Sequence, residues 1–276
     1  MQFWTVDVFS NRPFQGNAAS VFWCDHPLKD ELYERLALEV FQAETAFIEL
    51  SSESLEKRHF KIRLFSPYGE NKAAGHSIFA AAMVLWEEKE YPKNEPLYFE
   101  MNSSILKVTK NDQLISMTFS RSTVTPTVTP DRLFKALNTL PVSVSQCNDD
   151  LIVELHSEEE LRALEPNFLK LATIENNRII VTCEEQTQKY DFVSRVFSPR
   201  LGNDEEAANF SAYCDLASFW HTRTGKTSFK AKQLGYRSGM VLIDIHEDTV
   251  TLSGHALIIS KGNLVVDLES DHDILR

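Results

Sequence analysis

Phe3 to Phe9 alternates apolar and polar side chains, the period of a strand with one face buried. Ser10 to Asn17 (SNRPFQGN) then brings Pro, Gly and Asn together, the chemistry of a turn. Leu28–Val40 spaces leucines and valine at helical intervals with charges on the opposite face, which predicts an amphipathic helix. Ala43–Leu50 and His59–Ser66 read as strands, and Leu97–Met101, Ile105–Thr109 and Leu114–Phe119 as a strand meander. His76–Glu88 is apolar almost all round, which predicts a helix buried on every side. In the second half, Asp131–Leu137 reads as a helix, and so does Ser157–Leu164, where Ser and Glu fit a capping box. Arg178–Cys183 and Tyr190–Phe197 read as strands, Ser211–Thr222 as a second apolar helix, and Phe229–Val266 as a strand series broken by turns. The pattern is that of a mixed α+β chain.

One repeat organises these elements. RLFSP at Arg63–Pro67 recurs as RVFSP at Arg195–Pro199, 132 residues later. Each copy leads into a glycine-containing acidic loop and then an apolar helix reaching Trp86 or Trp220, 23 and 25 residues after the arginine. A five-residue match alone can be coincidence, but shared order and nearly equal spacing favour a duplicated lobe. The compositional break at Arg121–Pro130 (RSTVTPTVTP), rich in Thr and Pro without apolar periodicity, is the expected linker. That divides the chain into an N-terminal lobe, 1–120, and a C-terminal lobe, 121–276, which suits a length of 276 residues.

Composition narrows the partners. With 43% hydrophobic and 25% charged residues, the balance is that of a soluble globular protein. A formal charge of −12 argues against binding nucleic acid and, more weakly, against anionic membrane surfaces. No apolar run approaches the ~20 residues of a membrane span, and nothing at the start reads as a signal peptide, so a cytoplasmic location is expected. Cys24, Cys147, Cys183 and Cys214 stand alone, as reduced thiols do, and their spacing disfavours zinc. There is no glycine-rich phosphate loop. No cofactor is expected.

Two duplicated lobes put two helix N-termini at corresponding places: Gly75, His76 and Ser77 in one, Asn209, Phe210 and Ser211 in the other. If pseudo-twofold symmetry turns them toward one inter-lobe cleft, their backbone N–H groups would form anion pockets needing no Lys or Arg. A small carboxylate substrate is the natural occupant.

Longer stretches then become recognisable. VDVFSNRPFQGNAASV resembles the N-terminal signature VDAFTxRPFxGNPAAV of the PhzF-like, or phenazine biosynthesis-like, family. AETAFIEL resembles its S-E-T-A-F-V segment, and FSPYGENKAAGHSIFAA its F-T-P-x-x-E-x-x-x-C-G-H-A-T-x-A-A segment. RVFSPRLGNDEEAANFSA is similar to R-x-F-A-P-x-x-G-x-x-E-D-P-x-T-G-S-A, and the end of the chain fits the family's closing pattern. The resemblance implies a diaminopimelate epimerase-like α+β fold: two pseudo-symmetric lobes, each a curved, mostly antiparallel, barrel-like sheet wrapped around a central apolar helix. It also implies a homodimer and places the family's acid/base carboxylate on Glu44. A carboxylate desolvated between apolar lobes is suited to proton transfer near neutral pH. His76 and Glu206 are the other catalytic candidates. Asn17, Gly75, Ser77, Asn209, Phe210 and Ser211 are candidates for binding substrate.

The departures cluster in the second lobe: Glu206 replaces an Asp, Ala207 a Pro, Asn209-Phe210 a Thr-Gly pair, and Tyr213 a common His. In the first lobe Ala74 stands where the family has Cys. Ala74 and Asn209 occupy the places of the two thiols of the epimerase cousins, which excludes a two-thiol mechanism there. The expected activity is a cofactor-independent isomerase using one carboxylate. Two alternatives stay open: a catalytically decayed relative that binds a small carboxylate, and a racemase or epimerase of amino or hydroxy acids.

Overall fold

The computed structural model describes residues 1–50, 58–73, 75–266 and 268. Ala74 lies outside them. Two compact units are present, Met1–Met117 with Gly254–Arg276, and Thr118–Ser253.

The first unit contains β1 (Gln2–Val8), β2 (Asn17–Cys24), α1 (Asp30–Val40), β3 (Glu44–Glu49), β4 (His59–Ser66), β5 (Gly69–Asn71), α2 (Ser77–Glu88), β6 (Leu97–Met101), β7 (Ser104–Asn111) and the start of β8 (Leu114–Ser120), whose residues from Thr118 belong to the second. The second begins with β9 (Val124–Pro126), α3 (Asp131–Leu137), β10 (Ser143–Cys147), β11 (Asp150–Glu154), α4 (Glu158–Ala163), α5 (Phe168–Leu171), β12 (Ile179–Glu184), β13 (Phe192–Ser198) and β14 (Asn203–Glu206). It continues with α6 (Phe210–Thr224), β15 (Ser228–Gln233), β16 (Gly239–His246) and β17 (Thr249–Gly254). The last strand, β18 (Ala256–Asn263), returns to the first unit.

Each unit is built on one pairing order. In the first, β18, β1, β2, β3, β4, β6, β7 and β8 follow one another, with β2–β3 and β4–β6 parallel and the rest antiparallel. In the second, β9, β10, β11, β12, β13, β15, β16 and β17 do the same, with β11–β12 and β13–β15 parallel. A short hairpin strand adds to β4 in one unit and to β13 in the other. The duplication inferred from one pentapeptide thus extends to every sheet position.

The pentapeptide recurs because its side chains do the same work twice. Arg63 Nε donates to Glu70 Oε1 at 2.8 Å, and its guanidinium lies 5.1 Å from the Phe65 ring. Arg195 Nε donates to Glu205 Oε1 at 2.8 Å, with its guanidinium 5.0 Å from the Phe197 ring. Stacked, paired guanidinium groups are a use of Arg that Lys does not reproduce.

The apolar helices sit where their composition requires. α2 packs on β1, β2, β3 and β18, and Ile78 through Ala82 are wholly buried. α6 packs on β9, β11 and β16. The opposite sheet face carries α1 in the first unit, over Phe22, Phe47 and Phe65, and α3 to α5 in the second, over Val153, Val181 and Phe197. β3 is therefore covered on both sides, and all six of its residues are buried. Its residues alternate between helices: Phe47 and Glu49 meet Tyr33 of α1, while Glu44 meets Ser77 of α2.

Two parts of the sequence-based division differ. The segment 121–130 is not a bare linker, because Val124–Pro126 forms β9 and pairs with β10. Val and Thr favour extended backbone, and Pro126 is tolerated at the strand's end. The C-terminal strand does not stay with the second unit, because β18 pairs with β1 from Gln2 to Val8.

Candidate active site

Glu44, Asn17, Gly75, His76 and Ser77 meet inside the first unit. Glu44 opens β3, Asn17 opens β2, and Gly75 to Ser77 lead into α2. Glu44 is only 4% exposed. Its Oε1 accepts from Asn71 Nδ2 at 2.7 Å, and its Oε2 accepts from the Ser77 backbone N–H at 3.1 Å and from Ser77 Oγ at 2.6 Å. All three are donors to a group arranged as an acceptor. A buried carboxylate at a helix N-terminus also meets the positive end of the helix dipole.

His76 lies beside it, with Nδ1 3.7 Å from Glu44 Oε2. Nε2 is 3.2 Å from the Ala18 carbonyl and Nδ1 is 3.4 Å from Asn17 Nδ2. A carbonyl only accepts, so Nε2 carries the hydrogen and Nδ1 accepts from Asn17. Burial pushes the His76 pKa down, against the pull of Glu44 and the Ala18 carbonyl. Burial and the Asn17 donor to Nδ1 both favour the neutral imidazole. Gly75 completes the arrangement, because a Cβ there would overlap the Glu44 carboxylate.

The expected anion pocket is filled differently. The Ser77 N–H is taken by Glu44, and in the second unit the Ala212 N–H is taken by Asn209 Oδ1 at 3.0 Å. Each helix start is capped by the protein's own side chain, since buried N–H groups must find acceptors.

In the second unit, Glu206 closes β14, Asn209 caps α6, and Ser211 lies exposed in its first turn. Asn209 Nδ2 donates to Glu206 Oε2. Burial pushes the Glu206 pKa up, opposed by Ser198 and by the Arg178 charge. Phe210 is not at the surface of a pocket: it is 2% exposed and packs on Phe119, ring centroids 5.0 Å apart. Cys214 is buried in the same helix.

Four further residues escaped the sequence reading. Asn71 is one, at an unmarked place in the family pattern. Arg178 is another: its Nε donates to Asp150 Oδ2 at 2.9 Å and its Nη1 to Asn209 Oδ1 at 3.2 Å and to Ser211 Oγ. Asp150 and Asp215 flank it. The signal that finds them is register. Aligned through RLFSP and RVFSP, Asn71 opposite Leu64 corresponds to Glu206 opposite Val196. Thr45 opposite Phe65 corresponds to Ile179 opposite Phe197, so the preceding residues, Glu44 and Arg178, correspond as well. Ser77 and Ser211 each stand nine residues before the helix tryptophan.

No helix among the described residues is long and apolar enough to cross a membrane. Comparison with known proteins places the chain among its relatives. The family model described as phenazine biosynthesis-like protein (PhzC-PhzF) matches residues 6–262. A protein of Pseudomonas aeruginosa named an uncharacterized isomerase is 37% identical over 264 residues, covering 96% of this chain and 98% of that one. Another so named, from Halalkalibacterium halodurans, is 32% identical, covering 95% and 98%. The crystal structure of a PhzF family protein from Enterococcus faecalis superposes with a TM-score of 0.89 at 27% identity, covering 96% and 99%. Fold, motif order and relatives converge: this chain belongs to the phenazine biosynthesis-like family and has its diaminopimelate epimerase-like α+β fold.

Proposed function

We propose that the chain is a cofactor-independent isomerase that moves a proton on a small carboxylate substrate, with Glu44 as its single acid/base group. The observation that carries this reading is the setting of Glu44: buried, fully oriented, and paired with a neutral His76 rather than a cation. Each carboxylate oxygen has two acceptor positions. Those of Oε2 are filled by Ser77, whereas among the described residues Oε1 receives Asn71 alone. Oε1 is the atom that takes the proton from the carbon next to, or conjugated with, the substrate carboxyl, and returns it at another carbon. Ser77 and Asn71 hold the lone pairs in place while the charge comes and goes. His76, fixed through Asn17 and Ala18, stands 3.7 Å from Oε2 and leaves Glu44 unlocked by an ion pair.

A second base of the racemase kind finds no support at the corresponding position, since Arg178 does not deprotonate in proteins. The altered second-unit loop supports a built site rather than decay. Asn209 is a strong helix cap in place of Thr, and Phe210, in place of Gly, is core. These points favour the isomerase over the decayed binder. The location is taken as cytoplasmic.

The test is deuterium exchange. Incubated in D₂O with a panel of small unsaturated and α-substituted carboxylates, the protein should wash deuterium into one carbon of its substrate. Glu44→Gln should abolish this while keeping the fold. Exchange at the wild-type rate in Glu44→Gln would overturn the assignment.

A further inference from the structure

The two units repeat one scaffold with opposite charge. Where the first has Glu44, the second has Arg178. Where Asn71 donates to Glu44, Glu206 faces Arg178, and where Ser77 Oγ donates to the carboxylate, Ser211 Oγ accepts from the guanidinium. The Asn209 amide joins Arg178 to Glu206 by accepting from Nη1 and donating to Oε2. At three corresponding positions the polarity thus inverts.

We propose that Arg178 is a positioning residue of the proposed isomerase: it aims Ser211 and Asn209 at the start of α6 and, through the Asn209 amide, holds Glu206 in the orientation in which it meets substrate. The fork geometry carries this. Nε and Nη2 are spent on Asp150, which also accepts from the Arg178 backbone N–H at 3.0 Å, and Nη2 lies 3.5 Å from Asp215 Oδ2. That leaves Nη1 pointing at Asn209 and Ser211 alone. A lysine in its place keeps the charge and loses the fork. A buried ion pair is by itself weak ground for stability, so its arrangement around a helix start calls for another role. The titratable groups facing Arg178 are Asp150 on β11, Asp215 on α6 and Glu206 on β14, with Cys147 on β10 donating to Asp215.

The first arm of the test needs no activity. In the full chain with ¹³C-labelled carboxyls, Glu206 being assigned through Glu206→Gln, the Glu206 titration midpoint should rise by about one unit in Arg178→Met. In Arg178→Lys it should rise by less, yet measurably, because the Asn209 bridge is lost. A midpoint that moves in neither variant overturns the inference, and Arg178→Lys alone decides it if Arg178→Met does not fold. The second arm rests on the isomerase reading and uses whichever carboxylate exchanges with the wild type. Arg178→Lys should raise KM about tenfold with kcat little changed, and the double variant with Ser211→Ala should be no worse than the poorer single one. A lowered melting temperature with unchanged KM would mark a purely structural residue and overturn the inference. If no carboxylate exchanges with the wild type, the isomerase reading falls while the titration arm still judges Arg178.

Discussion

Gly75 lies so close against Glu44 that a Cβ on it would stand 2.5 Å from the carboxyl carbon, and nearer still to both oxygens. Glu44 has little room to yield, because Asn71 and Ser77 hold its two oxygens. Gly75→Ala should therefore displace the carboxylate and lower deuterium exchange by about 100-fold, the cost of misplacing a catalytic group by about an ångström. The circular dichroism spectrum should be retained. Exchange within tenfold of wild type would show that the close approach is dispensable.

Asn71→Asp replaces a donor to Glu44, 2.7 Å away, with a second carboxylate. A buried and a half-buried carboxylate at that distance do not readily both ionise, so they share a proton to higher pH. The acidic limb of the pH–rate profile for exchange should move up by about one unit or more. The folded pKa of the pair is then above its unfolded value of about 4, so stability relative to wild type falls as pH rises from there. Urea midpoints at pH 5 and pH 8 measure it. A constant offset between the two proteins would contradict the pairing.

Asp215 is buried in α6, and burial lifts its pKa from 3.8 to about 6 against the hydrogen bonds of Cys147 and Ser122 and the charge of Arg178. With the folded value above the unfolded one, its contribution to stability is complete below about pH 4 and is lost as pH climbs through about 6. Asp215→Asn has no such titration. It should gain on wild type by on the order of 1–3 kcal/mol between pH 4.5 and pH 7.5, read from urea unfolding. Parallel stability curves across that range would refute this.

The four cysteines are buried, and burial pushes the Cys24, Cys183 and Cys214 thiols up to about 12 and Cys147 higher still. Thiolate is the reactive form, so a disulfide reagent at pH 8 should leave the native chain unlabelled for hours. In urea all four should react at once. Rapid labelling of any one in the native protein would place that thiol at an opening segment.

Much of the fold was legible because most strands carry a plain period and both buried helices are long apolar runs. Asn17–Cys24 and Asp150–Glu154 were not read as strands, and Asn17 was placed in a turn. Covered on both faces, these segments have no polar side to alternate with, so their runs lack the period-2 signal. Glu44, Gly75, His76 and Ser77 were found through motifs, since each sits within a contiguous stretch that resembles the family. Asn71 and Arg178 were not, because each reaches its partner across a sheet register that no local pattern reports.

The order of residues alone determined the duplicated α+β scaffold, its two buried helices and the carboxylate placed beside the first of them. Periodicity and short-range chemistry are local properties, so they can be read from neighbours in the chain. Tertiary structure decided that β18 belongs with β1, that Glu44 rather than an external anion caps α2, and that Arg178 stands where the duplicate has Glu44. Those outcomes depend on which strands pair and in what register, a competition among distant segments for the same backbone partners and the same buried space.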